Sequence, residues 1–334
     1  MVEKEKLSRL ISEYLKLKGI EFVAIADLNG SLIYVEKNPN FTKSDKDLRA
    51  LIKSVMDTIT DKYNAGSLSI NDQRIVFIKA GSQAILITCI QPMVSLDAIF
   101  PYAYIIAEKI SRSFDNRPVS SILPNFGPII PITGSSKSKV LKGFVLFTKS
   151  SELTEPLSYK MVIGGEYGVG KTSLVHTFIS GKFDHDAVYK ATIGTSILKK
   201  ECKLQNLELS VNLLIWDLGG QEQFAQVRPK YMKDAKAGFL VFDVTRIETF
   251  DKISRWYEDF KSSGYKDLKL ILIGNKIDLY AERKITTEQG MKLAEQLGIP
   301  YLETSALNSE IVDEAFQTIA FKLIQDKIQM TPKD

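Results

Sequence analysis

Long hydrophobic runs, cysteine and histidine are what this chain has least of. None of its 334 residues belongs to a run of about 18 apolar side chains, which excludes a helix that spans a bilayer. The two cysteines, Cys89 and Cys202, lie far apart in apolar or strand-like surroundings. That spacing excludes a disulfide scaffold and a zinc site and fits a reducing compartment. Histidine occurs twice, and not at all in residues 1–113. The opening Met1-Val2-Glu3-Lys4-Glu5-Lys6 lacks the apolar region of a signal peptide, so the expected location is cytoplasmic, with peripheral membrane association only through partners. A net charge of +4 implies no generic nucleic-acid binding. No cysteine follows Cys202 and no glycine follows Met1, so the expectation is a protein without an encoded lipid anchor.

What is present is an ordinary globular composition, 44% apolar and 25% charged, in a chain long enough for two domains. Leu7, Leu10, Ile11, Tyr14 and Leu15 fall on one helical face, and Gly19 ends that helix. Strands are predicted over 20–26 and 32–35 around the Asn29-Gly30 turn. Helical spacing returns over 47–59, with Ser44 or Asp45 as N-cap. Short strands follow over 68–70, 75–79 and 84–90, and a buried helix over 96–110, whose first turn Pro101 can mark. Helix, two strands, helix, three strands, helix describes an α+β domain with a five-stranded antiparallel sheet over residues 1–115. No catalytic constellation lies in it.

Residues 116–156 read as a linker, because Pro118, Pro124, Pro128, Pro131 and Gly134-Ser135-Ser136 oppose helix and central strand. Lys137, Lys139, Lys142 and Lys149 make it basic, which suits a solubilising connection better than an anionic-lipid contact. Residues 142–148 have the pattern of a strand that either neighbouring sheet could take.

The second half is organised around Gly165-Glu166-Tyr167-Gly168-Val169-Gly170-Lys171-Thr172, a complete GxxxxGK[ST] string between an apolar run at 159–163 and Leu174-Val175. Strand, glycine loop and helix in that order make a cradle of backbone N–H groups and one lysine for a polyphosphate. From residue 157, strand patterns at 159–163, 196–203, 207–216, 238–242, 268–273 and 300–303 alternate with helices at 171–180, 248–262, 287–297 and 309–326. The fold class is therefore α/β, a mostly parallel six-stranded sheet with ligand chemistry at the carboxyl ends of the strands. Asp217-Leu218-Gly219-Gly220-Gln221-Glu222 follows one strand. Its acid can hold Mg²⁺ through water while Thr172 ligates the ion, Gly220 lets backbone approach a γ-phosphate, and Gln221 can orient water. Asn275-Lys276-Ile277-Asp278 follows another, and a carboxylate there can accept two hydrogen bonds from guanine that adenine cannot supply. Glu303-Thr304-Ser305-Ala306 can offer amides to the base oxygen.

Through these strings, together with Thr192-Ile193-Gly194 and Trp216-Asp217, residues of about 157–328 resemble the Ras-like small GTPases, most closely the Rab-like branch. The P-loop NTPase domain is set at 157–330. The resemblance implies GTP and GDP as substrate and product, Mg²⁺ as cofactor, and two switch segments ordered by the γ-phosphate. It implies catalytic roles for Lys171, Gln221 and Thr192, and metal contacts from Thr172, Thr192 and Asp217. It implies nucleotide contacts from Gly165, Tyr167, Gly168, Val169, Gly170, Lys171, Thr172, Ser173, Phe183, Gly220, Asn275, Lys276, Asp278, Ser305, Ala306 and Leu307, with Phe183 stacked on guanine. Three positions depart from that pattern. Tyr167 stands where a small residue is usual and can obstruct an arginine finger or point to solvent. The stretch from Phe183 to Thr192 is about two residues longer than in those relatives, on the alignment of these motifs. Leu307 replaces a common lysine. The stretch Gly19-Ile20-Glu21-Phe22-Val23-Ala24-Ile25-Ala26-Asp27-Leu28-Asn29-Gly30-Ser31-Leu32-Ile33 and the element order of residues 1–115 resemble the roadblock family, with the longin family as the alternative. Either implies a homodimer or a roadblock/longin-type partner.

The expectation is a slow GTPase switch that needs GTPase-activating and exchange proteins, since no arginine lies between Lys182 and Ser196. The alternative is a scaffold that binds GTP and barely hydrolyses it.

Overall fold

The computed structural model describes residues 4–58, 64–70, 73–117, 119, 123–126, 145–146, 157–184, 194–220, 228–262 and 267–328. The first half runs α1 (Lys4–Leu15), β1 (Ile20–Asp27), β2 (Leu32–Lys37), α2 (Asp45–Thr58), β3 (Ala65–Ile70), β4 (Gln73–Ala80), β5 (Ala84–Ile90) and α3 (Leu96–Phe114). Its antiparallel sheet has the order β2-β1-β5-β4-β3, extended by β6 (Val145–Leu146) beside β3. Alternating side chains split two cores across this sheet. Phe22, Ile75, Phe77 and Ile87 meet Leu48, Leu51 and Val55 of α2, while Val23, Ile25, Val76 and Leu86 meet α1 and α3 on the other face. Ser44 caps α2 in a reciprocal pair, since Asp47 N–H donates to its Oγ at 3.3 Å and that hydroxyl donates to the Asp47 carboxylate at 2.7 Å.

The strand pattern expected over 142–148 is taken up by the first sheet, where Val145–Leu146 adds a sixth strand beside β3 to the five expected. Pro101 lies inside α3, which starts five residues earlier at Leu96 after Ser95. Proline there removes one helical hydrogen bond and crowds the carbonyl four residues back, a cost that the burial of Phe100, Tyr102, Ala103 and Tyr104 around it offsets. Asn125, also in the connection, exchanges backbone hydrogen bonds with Tyr301 at 3.0 and 2.7 Å.

The second half runs β7 (Ser158–Gly164), α4 (Lys171–Ser180), β8 (Thr195–Leu204), β9 (Leu209–Leu218), α5 (Arg228–Met232), β10 (Ala237–Asp243), α6 (Ile247–Asp251), α7 (Ile253–Lys261), β11 (Lys269–Asn275), α8 (Thr287–Leu297), β12 (Tyr301–Thr304) and α9 (Ser309–Ile328). The sheet order is β12-β11-β10-β7-β9-β8, parallel except for the β8–β9 hairpin. Strand order reverses at β7, so a crevice opens at its carboxyl end. Sequence patterning missed α5, which is too short for a period, and joined α6 to α7, which part at Lys252. It also began β9 at residue 207, where a 3₁₀ turn (Gln205–Leu207) closes the hairpin.

The two halves share a core. Tyr104 of α3 stacks on Phe321 of α9 with ring centroids 4.9 Å apart. The buried Lys109 pairs with Glu314 at 2.8 Å, and Arg112 donates to Gln317 at 3.2 Å. At the hairpin tip Gly81 N–H donates to Asn206 Oδ1 at 2.9 Å, while Asn206 N–H faces Glu108 Oε1 at 3.4 Å. No helix among the described residues is long and apolar enough to cross a membrane.

Candidate functional site

The glycine string turns sharply between β7 and α4. Gly165, Gly168 and Gly170 have φ of 150°, 75° and 96°, left-handed or steeply extended values that glycine adopts without strain. Space forbids side chains at two of them. A Cβ on Gly165 would lie 2.2 Å from the Val241 carbonyl oxygen, and one on Gly170 2.4 Å from the Asn275 amide. Lys171 begins α4 and is 5% exposed; its Nζ donates to the carbonyls of Gly165 and Glu166 at 2.8 and 2.9 Å. Burial, partly offset by Asp217 and Glu166, pushes its pKa down to about 8. Ser173 follows in the first turn of α4, half-buried, and Val169 is fully buried beneath the loop.

Thr172 is the next contact. Its hydroxyl donates to the Asp217 carboxylate at 2.6 Å, and Asp217 is fully buried at the end of β9. Gly220 then passes so close to the loop that a Cβ on it would sit 2.5 Å from the Tyr167 nitrogen. The backbone therefore reaches the cradle where a side chain could not. Gly219 N–H donates to Gly194 O at 2.9 Å, which ties the ends of β8 and β9 together beside the cradle. Thr192 and Gln221 lie outside the described residues.

Asn275 joins two loops. Its Nδ2 donates to Val169 O at 2.8 Å, and its Oδ1 accepts from Thr304 Oγ1 at 3.0 Å. Lys276 has φ of 69° and pairs with the buried Asp243 at 2.7 Å. Asp278 accepts from Ser305 Oγ at 2.5 Å, and the same Oγ accepts from Leu307 N–H at 3.2 Å. Ala306 O holds Thr177 of α4 at 2.9 Å. One carboxylate oxygen of Asp278 is thus fixed by Ser305, which aims the group. Leu307 itself is exposed, and Phe183 is half-buried against the core below α4.

Residues that the motifs did not single out complete the site. Glu166 accepts from Trp256 Nε1 at 3.0 Å and from Lys252 Nζ at 3.2 Å. Arg246 Nη1 donates to Tyr167 O at 3.0 Å. Both act across distances that no local spacing encodes. The Tyr167 side chain is 55% exposed.

The arrangement offers a ring of amides and a lysine for phosphate, a hydroxyl and a carboxylate for a hard cation, and a carboxylate for a base edge. Residues 160–325 match the model of the Ras family. The match supports a Ras-like small GTPase domain that binds guanine nucleotide over that stretch.

Proposed function

We propose, with a Ras-like nucleotide-binding domain as the premise, that the protein is a switch that binds GTP and GDP with Mg²⁺ and hydrolyses GTP slowly. The observation that carries this reading is Asn275, whose two hydrogen bonds lock the phosphate loop to the base loop. Phosphate and guanine are thereby gripped at a fixed separation. Asp278, aimed by Ser305, accepts from the guanine edge, and Ser305, Ala306 and Leu307 line the same loop.

Thr172 and Asp217 suit a magnesium ion. A hydroxyl and a carboxylate 2.6 Å apart are hard oxygen donors of the kind Mg²⁺ takes together with phosphate oxygens. Thr172 would ligate the ion and Asp217 would hold it through water, with Thr192 as a further ligand. When bound, the ion neutralises charge that develops across the phosphates. Lys171 contacts the β- and γ-phosphates, and Gln221 orients the attacking water. With no arginine in residues 183–195, turnover calls for a GTPase-activating protein, and nucleotide release for an exchange protein. Residues 1–115 serve as a roadblock-like module for dimerisation, localisation or regulation, a reading supported by the leading α1 and by the sheet order β2-β1-β5-β4-β3.

A second reading, a scaffold that binds GTP and barely hydrolyses it, rests on the exposed ring of Tyr167 at the rim of the phosphate loop. One experiment separates them. Nucleotide released from the purified full chain is identified, and phosphate release is then followed in a single turnover with the wild type and with Gln221→Leu. A bound guanine nucleotide, slow phosphate release and a still slower variant are expected. Bound GTP with no phosphate release selects the scaffold, and adenine nucleotide overturns both.

A further inference from the structure

A phosphate loop works by the direction of its N–H groups, and each direction is set by the carbonyl across the same peptide. In a planar trans peptide the C=O of one residue and the N–H of the next point opposite ways. Holding the carbonyl outward therefore holds the next amide inward. Asn275 does this for the peptide of Val169 and Gly170. The peptide between Tyr167 and Gly168 has its carbonyl held by Arg246 Nη1 at 3.0 Å.

Arg246 is itself held in place. Its Nε donates to Glu248 Oε1 at 2.8 Å, which fixes the guanidinium plane. Its backbone belongs to a turn with Arg246 N–H on Asp243 O at 3.0 Å and Thr249 Oγ1 on Arg246 O at 2.7 Å. Asp243 accepts from Thr245 in that turn and pairs with Lys276 of the base loop. Gly168 completes the fit: a Cβ on it would stand 3.1 Å from Arg246 Nη1, so the guanidinium lies over the bare Cα.

We infer that Arg246 is a positioning residue for the phosphate loop, which turns the Gly168 N–H toward the bound polyphosphate by anchoring the Tyr167 carbonyl. The inference rests on the GTP-binding reading above. Arg246 stands on the outer side of the loop, so its effect passes through the peptide. It acts on GDP and GTP alike, in contrast to a finger that acts on the transition state alone.

The test uses the full chain loaded with GDP and Mg²⁺. Arg246→Ala moves the ³¹P resonance of the β-phosphate and speeds GDP release about tenfold, the scale of one charge-assisted hydrogen bond. Arg246→Lys keeps a donor and a charge, and restores part of the release rate. Glu248→Gln gives a smaller change in the same direction. A ³¹P resonance and a release rate that match the wild type in Arg246→Ala overturn the inference, as does an equal effect of Arg246→Lys and Arg246→Ala. If the wild type holds no GDP, it is the GTP-binding reading that fails, a result that shows before any variant is compared.

Discussion

Glu108 is a carboxylate that the fold has placed between α3 and the β8–β9 hairpin, 3% exposed. Burial raises its pKa, against the opposing pull of the Tyr104 hydroxyl at 3.0 Å, of Arg112 and of the Asn206 N–H. A carboxylate with a raised folded pKa adds stability while it is protonated, and that contribution is lost as pH rises through the folded value. The Glu108→Gln variant keeps an acceptor and never ionises. Its thermal midpoint should exceed the wild type at pH 7.5, and the gap should close as pH falls through the raised folded value toward the ordinary carboxylate value of about 4. A gap that does not change with pH would remove ionisation as the cause. At this scale, what the sequence disclosed depends on whether partners share a string. The strings that carry Lys171, Thr172, Asp217, Asn275 and Asp278 were legible as motifs at strand ends, and the structure brings them together there. Glu166 and Arg246 were not, because an acid in a phosphate cradle runs against expectation and the reach of the arginine across the fold leaves no local trace.

Among the elements, the β8–β9 hairpin links the site to the first half. Its ladder runs without a bulge from Thr195 opposite Leu218 to Leu204 opposite Leu209. One end carries Asp217 and the Gly219 to Gly194 bond of the site, and the other end is the tip that Gly81 and Glu108 clasp through Asn206. Removing that clasp should be measurable. Asn206→Ala takes the partner from the Gly81 N–H, so stability to urea should fall by roughly 1 kcal/mol, and amide exchange at Gly81 should quicken. Unchanged exchange there would show that water replaces the asparagine without loss. Most elements were predictable in place and type, since short apolar runs bounded by turn pairs mark β1 and β4, and helical spacing marks α1 and α2. The exceptions have physical causes. The 3₁₀ turn at the tip continues the apolar pattern of β9, so Leu207 reads as strand although it is buried against the first half. The Asn125 bridge and β6 need only backbone groups, which composition does not advertise.

For the whole molecule, the decisive fact is the shared core, in which Tyr104, Phe321, Lys109 and Glu314 join α3 to α9. The two sheets, one built mainly before residue 157 and one after it, were readable from the change in patterning there. Docking of one half on the other was not, since α3 reads simply as a helix apolar on several faces, with nothing to say which face meets its own sheet and which meets α9. Two domains that share a core should lose structure together, so heat should give one transition with coincident midpoints in every probe. Separate midpoints for the two halves would show that the junction adds little. The placement of tryptophan makes that comparison possible. The chain has two, Trp216 and Trp256. Trp216 adjoins Asp217 with Lys160 Nζ 4.0 Å from its ring centre, and Trp256 donates to Glu166 of the phosphate loop. Indole emission, selectively excited, therefore comes from the second half alone, while far-ultraviolet dichroism reports both halves. Trp256, bonded to Glu166, is a built-in optical reporter of the phosphate loop, and the first half is dark to it.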